Sequence, residues 1–356
     1  MISEADVRAA LADVQYPGLR RDIVSLGMLR SVAVRDGRVH VSLTVSTERE
    51  DVPDLLRSAV VERLARAGAV RTEVQLLTPE RRPAAPDPWS KQGRLRKVRS
   101  VIAVGAGKGG VGKSTVAVNL ALALRETGDR VGILDADIYG PSVPVLLGLE
   151  DGASRTRMTP DKHIVPLEAH GLSVISFGFF LSAESPAVWR GPMVSKAVTQ
   201  FARGVEWPEL DVLVVDLPPG TGDVPLSLAQ AVVLDGAVVV TTPQRLATLE
   251  AAKAVDMFRT LNVPVLGVVE NMSRSTCACG RHSHPFGAGG GDRLATTAGI
   301  PLLGELPFAD GVVEGSDHGD PTMISAPATE YAIAMRRVAD EVREALDRAR
   351  PMLETA

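Results

Sequence analysis

Cysteine is almost missing from this 356-residue chain: it has two, Cys277 and Cys279. Cysteines one residue apart are awkward disulfide partners, so the expected compartment is the reduced cytoplasm. Aromatic residues are scarce too, at 4%, which leaves little material for a surface that stacks nucleic-acid bases. No run of about 18 uncharged apolar residues exists, so no segment is expected to span a membrane as a helix. The first residues, Met1-Ile2-Ser3-Glu4, lack the pattern of a secretory signal. Neither sign of charge is in large excess. Lys and Arg number 39 against 43 Asp and Glu, a net charge of −4, which gives no whole-chain attraction to nucleic acid. Apolar residues, by contrast, make up 45% of the chain, ample for a buried core.

What is present centres on Gly107 to Thr115, G-K-G-G-V-G-K-S-T. It satisfies the phosphate-loop pattern G-x-x-x-x-G-K-[ST] without mismatch. Val101–Val104 before it reads as a buried strand, and Ser114–Arg125 after it as a helix. Gly107, Gly109, Gly110 and Gly112 let the backbone wrap an anion, with the amides of Lys108, Val111 and Thr115 in the same cradle. Lys113 is the expected partner of the β/γ oxygens, and Ser114 the expected Mg²⁺ ligand. Lys108 occupies a position that the pattern leaves free. It reads either as a solvated loop lysine or as a contact to the nucleotide of a second copy. The nine residues resemble the deviant phosphate loop of the MinD/ParA/nitrogenase iron-protein class of dimeric ATPases, which implies the second role.

Residues 1–79 read as a small α+β unit, with helices over Glu4–Val14 and Val52–Ala67. Its strands are expected at Ser31–Val34, Arg38–Val45 and Val70–Leu76, with Asp36-Gly37 as a hairpin turn. Residues 80–98 read as a linker rich in proline and charge. The basic run at its end, Lys91 to Arg99, reads as solvated rather than as a nucleic-acid arm. Residues 99–350 alternate strand and helix, the signature of a mostly parallel sheet with helices on both faces. Strands are expected at Val101–Val104, Val131–Leu134, Leu172–Ile175, Val212–Val215, Gly236–Thr241, Val265–Val269 and Leu303–Leu306. The helices expected after the phosphate-loop helix are Pro192–Val205, Val224–Val232, Leu246–Leu261, Gly291–Ala298 and Ala328–Ala349.

In such sheets ligands bind at the carboxyl ends of the strands, and the polar residues gather there. Asp135 and Asp137 leave one strand, with Asp137 expected to position water. Asp216 leaves another as the expected Walker-B carboxylate. The Pro218-to-Gly222 loop reads as a γ-phosphate switch. A cap or turn former is the bland reading of each acid, Asp223 included. Asn271 follows Val265–Val269, where its amide could read an adenine edge or satisfy a turn. Cys277 and Cys279 supply two thiolates. A [4Fe–4S] cluster with four cysteine ligands then needs two copies of the chain. Within one chain, Cys277, Cys279, His282 and His284 could instead hold zinc, or the thiols could be incidental.

Several motifs in order resemble the Mrp/ApbC family of iron–sulphur cluster carrier ATPases. They are Trp189-Arg190-Gly191-Pro192-Met193, Asp216-Leu217-Pro218-Pro219-Gly220-Thr221-Gly222-Asp223, Thr241-Thr242-Pro243-Gln244, Glu270-Asn271-Met272-Ser273 and the glycine run after Phe286. The first unit resembles a metal–sulphur cluster assembly factor domain around Asp22–Met28, but Ser46–Asp51 carries no cysteine where that family usually has one. The family's C-x-x-C is here C-x-C. The resemblance implies a SIMIBI-type P-loop NTPase fold, ATP with Mg²⁺ and slow hydrolysis. It further implies a homodimer bridged by a [4Fe–4S] cluster at Cys277 and Cys279, apo iron–sulphur proteins as partners, and no nucleic-acid or membrane partner. A MinD/ParA-like positioning ATPase and a zinc-binding scaffold are the alternatives. The first predicts a basic amphipathic terminal helix with an aromatic face, which Ala328–Ala349 lacks.

Overall fold

The computed structural model describes residues 2–17, 22–35, 37–45, 51–77, 93–180, 191–277 and 279–353. The expected turn residue Asp36, most of Ser46–Asp51, linker residues 80–92 and the Trp189-Arg190 pair lie outside these. The chain divides into two compact units, residues 1–87 and 88–356.

In the first unit, helix Glu4–Leu11 opens on a capping box: Ser3 and Asp6 bond reciprocally. Strands Leu29–Arg35 and Arg38–Thr44 form an antiparallel hairpin, with Gly37 left-handed at φ 72°. Strand Arg71–Leu77 joins in parallel, after the crossover helix Val52–Arg66. That helix buries Val52, Leu56, Val60 and Leu64 on one stripe. They complete a core with Val39, Val41 and Leu43 of the sheet.

The second unit is built on eight strands. Their order is Leu302–Glu305, Val265–Glu270, Gly236–Thr241, Val98–Ala106, Leu210–Asp216, Val131–Asp135, Leu172–Ser176, Leu167–Ala169. All neighbours are parallel except the last pair, so Leu167–Ala169 is an antiparallel edge. That strand was not among those expected, because three residues carry no readable period. The strand leading into the phosphate loop starts at Val98, ahead of the expected Val101. Arg94 pairs with the buried Asp235, which also accepts from the Val101 amide, and Lys97 pairs with Glu206. Two of the basic residues before Arg99 are thus structural.

Alternation along the strands explains their continuous apolar runs. Ile102, Val104, Val212 and Val214 face one core, which holds the phosphate-loop helix Lys113–Glu126 and the long helix Glu330–Leu353. Val101, Ala103, Leu213 and Val215 face the other, covered by helices that include Asp223–Ala231, Arg245–Thr260 and Gly290–Ala298. A strand buried on both sides has no polar face to show. The central strand Val98–Ala106 lies between Gly236–Thr241 and Leu210–Asp216. The chain lays its next strands to one side and its later strands to the other. The resulting crevice opens at the carboxyl ends.

Phe258 is fully buried, and its ring closes on Gly105 of the central strand. Phe258→Ala should cost about 3–5 kcal/mol. Urea unfolding monitored by circular dichroism reads that loss. A cost under about 1 kcal/mol would mean that the two layers do not depend on this contact.

Candidate nucleotide site

The loop glycines differ in what requires them. A Cβ on Gly107 would sit 2.0 Å from the Glu250 backbone, so helix Arg245–Thr260 can approach only a glycine. Gly112 is left-handed at φ 79° and caps the following helix, and a Cβ there would strike the Asn271 amide at 2.3 Å. Gly109, by contrast, has open space where a Cβ would stand; nothing in the surrounding protein requires it.

Lys113 starts the helix and is buried. Its ammonium bonds Asp216 Oδ1, approaches Asp137 Oδ2 at 3.9 Å and reaches Ser114 Oγ at 3.1 Å. The four residues expected from the sequence to clamp phosphate, end the Walker-B strand, position water and hold the metal ion therefore converge. Asp216 is wholly buried, and its Oδ2 has no hydrogen-bond partner among the described residues. Burial pushes its pKa up, while Lys113 and the Ser114 hydroxyl pull it back.

Asp135 lies beside Asp216 in register on the neighbouring strand. Its oxygens accept from the amides of Asp137 and Val143 and from the Ser176 hydroxyl. Asp135 thus holds the loop that carries Asp137, and Ser176 is a supporting residue missed in the sequence. Burial first, and the Asp216 charge second, push its pKa up to about 7. Asp137 itself accepts from the Gly140 amide. Gly220, at φ 91°, donates to the Ala106 carbonyl and ties the Pro-Pro-Gly loop to the central strand. Asp223 is exposed in the first turn of its helix and makes no side-chain cap. It faces a second cavity of about 550 Å³, with Asp137, Tyr139 and Pro219.

A cavity of about 560 Å³ at the phosphate loop runs from Lys108, Lys113, Ser114 and Thr115 to a wall of Met272, Pro307, Phe308, Ala309 and Val312. That apolar wall was not expected from the sequence. Its signal is the Leu306-Pro307 strand end, where carboxyl-end ligands gather. Asn271 lines this cavity, but its amide nitrogen donates to the Val111 carbonyl at 2.9 Å, bracing the phosphate loop. Lys108 also lines it, with its ammonium 3.5 Å from Gln244 Oε1 of the same chain.

Cys277 and Cys279 correct one expectation. They are bonded as a disulfide, with Cα atoms 5.3 Å apart. The cause is a tight turn rather than extended chain. Cys277 and Arg281 close it, the Gly280 amide donates to Cys277 O, and Gly280 is left-handed. Both cysteines are exposed, on a small ribbon pairing Ser275-Thr276 with His282-Ser283. The single-chain zinc arrangement is also not assembled. Among the described residues no group of three or more His, Cys, Asp or Glu converges to hold a metal. His284 bonds the Ser273 carbonyl and His282 bonds Thr276 Oγ1. The glycine run beyond is largely structural. A Cβ on Gly290 would strike Pro243 O at 2.3 Å, and the Gly291 amide donates to the buried Glu270.

Residues 97–343 match the family model of the NUBPL iron-transfer P-loop NTPases, and residues 4–76 that of the iron–sulfur cluster assembly proteins. The chain is 43% identical over 344 residues to the iron–sulfur cluster carrier protein of Escherichia coli K12, covering 95% of this chain and 91% of that one. Against the carrier protein of Pseudomonas fragi it is 52% identical over 246 residues, covering 69% and 85%. A solved nucleotide-binding protein from Archaeoglobus fulgidus in complex with ADP superposes with a TM-score of 0.57 at 40% identity. That match covers 64% of this chain and 89% of that one. MinD from Pyrococcus horikoshii shares the fold at 20% identity and a TM-score of 0.52, covering 70% and 98%.

Asp135 yields a pH prediction for nucleotide-free protein in a metal chelator. The folded chain keeps its proton to about pH 7, whereas an unfolded chain releases it near 3.9. The folded state therefore binds the extra proton in between, and the stability contributed here falls as pH rises through that window. Asp135→Asn should lose less stability than the wild type between about pH 5 and pH 8 in urea unfolding. Equal losses would sink this assignment.

Proposed function

This chain belongs to the NUBPL iron-transfer P-loop NTPase family, and from that premise we propose how it handles nucleotide and cluster. It is an ATP-dependent iron–sulphur cluster carrier, and it hydrolyses ATP. The observation that carries the nucleotide half is the convergence of Lys113, Ser114, Asp137 and Asp216 at one end of an apolar-walled cavity.

Lys113 is the phosphate clamp. The amides of Gly107 to Thr115 hold the phosphate oxygens, and the ammonium moves from Asp216 toward the β/γ oxygens. That transfer suits a lysine already desolvated and surrounded by acids. The donor set fits Mg²⁺, because Asp216 Oδ2 is a buried oxygen without a hydrogen-bond partner among the described residues and Ser114 is its neighbour. Ser114, with Asp216 in the surrounding shell, would hold the ion, which neutralises charge developing on the transferred phosphoryl group. Asp137 accepts a hydrogen bond from the attacking water and sets it in line with the γ-phosphorus. Water adds to phosphorus, the bond to the ADP oxygen breaks, and ADP and phosphate leave. Asn271 completes the cavity at the purine, using its Oδ1 and remaining N–H.

A second copy of the chain completes the assembly. Leu246 and Leu249, one helical turn apart, are 72% and 51% exposed beside Gln244, and Tyr139 is 71% exposed. Apolar side chains left open round the mouth of a site suit a face that meets its own copy. In that arrangement Lys108 leaves Gln244 and reaches the other copy's phosphates. Cys277 and Cys279, reduced, supply two thiolates per chain, so two chains ligate one [4Fe–4S] cargo for transfer to apo iron–sulphur proteins in the cytoplasm. The N-terminal unit serves as a docking module. Residues 1–79 form one functional domain; the second, expected from 99 to 350, takes in Arg94, Lys97 and Val98 as well, which shortens the joining segment expected over 80–98.

Lys113→Ala should lower ATP turnover by about a hundredfold or more, since a charge-stabilising donor is lost. Phosphate release reads this, and turnover near wild type would refute the phosphate clamp. Anaerobic reconstitution with a thiol reductant should give roughly four irons per two chains. Cys277→Ser/Cys279→Ser should hold none. Unchanged iron and sulphide in the double variant would mean that other residues carry the cargo.

A further inference from the structure

The sheet of the N-terminal unit gathers charge of one sign at one end of its outer face. In strand Arg38–Thr44, Val39, Val41 and Leu43 point into the core, so Arg38, His40 and Ser42 point outward. The same alternation turns Arg35 of strand Leu29–Arg35 and Arg71 of strand Arg71–Leu77 outward. Register brings the three together: Arg35 lies opposite Arg38, and Arg38 opposite Arg71. All three are exposed. Like charges directly opposite one another on a sheet repel and cost stability.

The unit does little to neutralise this row. Glu73 is the one acid among the outward residues of the three strands. It is shared, 3.5 Å from Arg71 and 4.0 Å from His40. Among the described residues no acid pairs with Arg35 or Arg38. The helical side of the unit is different: Arg57 pairs with Asp54, Arg63 with Asp13 and Arg66 with Glu62. Beside the row Val70 is 81% exposed, its amide bonded to the Gly37 carbonyl at the hairpin end. Arginine is enriched where proteins meet, and here three stand next to an exposed apolar side chain.

We propose that the row Arg35, Arg38 and Arg71 is a docking surface for an acidic segment of a partner protein. This rests on the docking role given above to the N-terminal unit, and supplies it with a surface and a partner chemistry. The planar fork of each guanidinium matches a carboxylate. Two interstrand spacings make the row about 10 Å long, which suits two or three neighbouring carboxylates. Their charge relieves the repulsion that the folded unit carries on its own. Nucleic acid fits less well, because no aromatic side chain stands among the outward residues of the three strands to stack a base.

The test compares full-length wild type and Arg35→Gln/Arg38→Gln/Arg71→Gln by fluorescence anisotropy, with labelled decaglutamate and with labelled decathymidylate at low salt. The wild type should bind decaglutamate more tightly than decathymidylate, and the variant should bind decaglutamate about fivefold or more weakly. Arg38→Gln alone, in the middle of the row, should lose about twofold or more. The melting temperature of the triple variant should be unchanged or higher, because the repulsion goes. Decaglutamate affinity in the triple variant within about twofold of wild type would overturn this surface and leave the docking role to another face of the unit. No binding of decaglutamate by the wild type would overturn the proposal as well. Tighter binding of decathymidylate, lost with the same substitutions, would make the row a nucleic-acid surface and overturn the docking role with it.

Discussion

A buried lysine held between two aspartates governs the second unit. Lys113 starts one helix, and Asp216 ends the neighbouring strand; both are buried and paired with each other. Removing one partner of such a pair leaves an uncompensated buried charge, which is far costlier than losing a surface ion pair. On the proposed reading that exposure to failure has a use: the ammonium is kept available to phosphate, and the carboxylate to a metal ion. Much of the surrounding architecture keeps these charges in register. Asp135 holds the loop carrying Asp137, Gly220 ties down the Pro-Pro-Gly loop, and Asn271 braces the phosphate loop from the far side.

The fold was legible because its signals are strong and redundant. Strands such as Leu210–Asp216 are buried on both faces, so they stand out as continuous apolar runs between amphipathic helices. Element ends moved by a few residues, as with Val98 against Val101, because the start of a buried strand is set by pairing. Arg94 with Asp235 and Lys97 with Glu206 are long-range pairs that local pattern does not contain. Very short elements, such as Leu167–Ala169, were invisible for want of a period.

The site was legible to the degree that its chemistry is local. Gly107 to Thr115 declares itself within nine residues, and Asp137 and Asp216 follow from position at strand ends. The roles that depend on distant partners were not legible. Asp135 is answered by Ser176, Asn271 by Val111, and Glu270 by Gly291. The glycines after Phe286 invite a ligand-binding reading, yet two of them are required by close packing on Pro243 and Glu270. The disulfide between Cys277 and Cys279 depended on a turn at Gly280 that spacing alone did not reveal.

Met272 adopts a left-handed backbone, at φ 57°. The residues on either side of it are pinned: the Asn271 amide to Thr241, and the Ser273 amide to Leu306. Its side chain forms part of the cavity wall, and Cys277 follows five residues later. Five residues of fully extended chain reach about 17 Å at most. The sulphur-bearing ribbon is therefore on a short leash whose fixed post is the cavity wall, and Cys277 can stand no farther from Met272 than that reach.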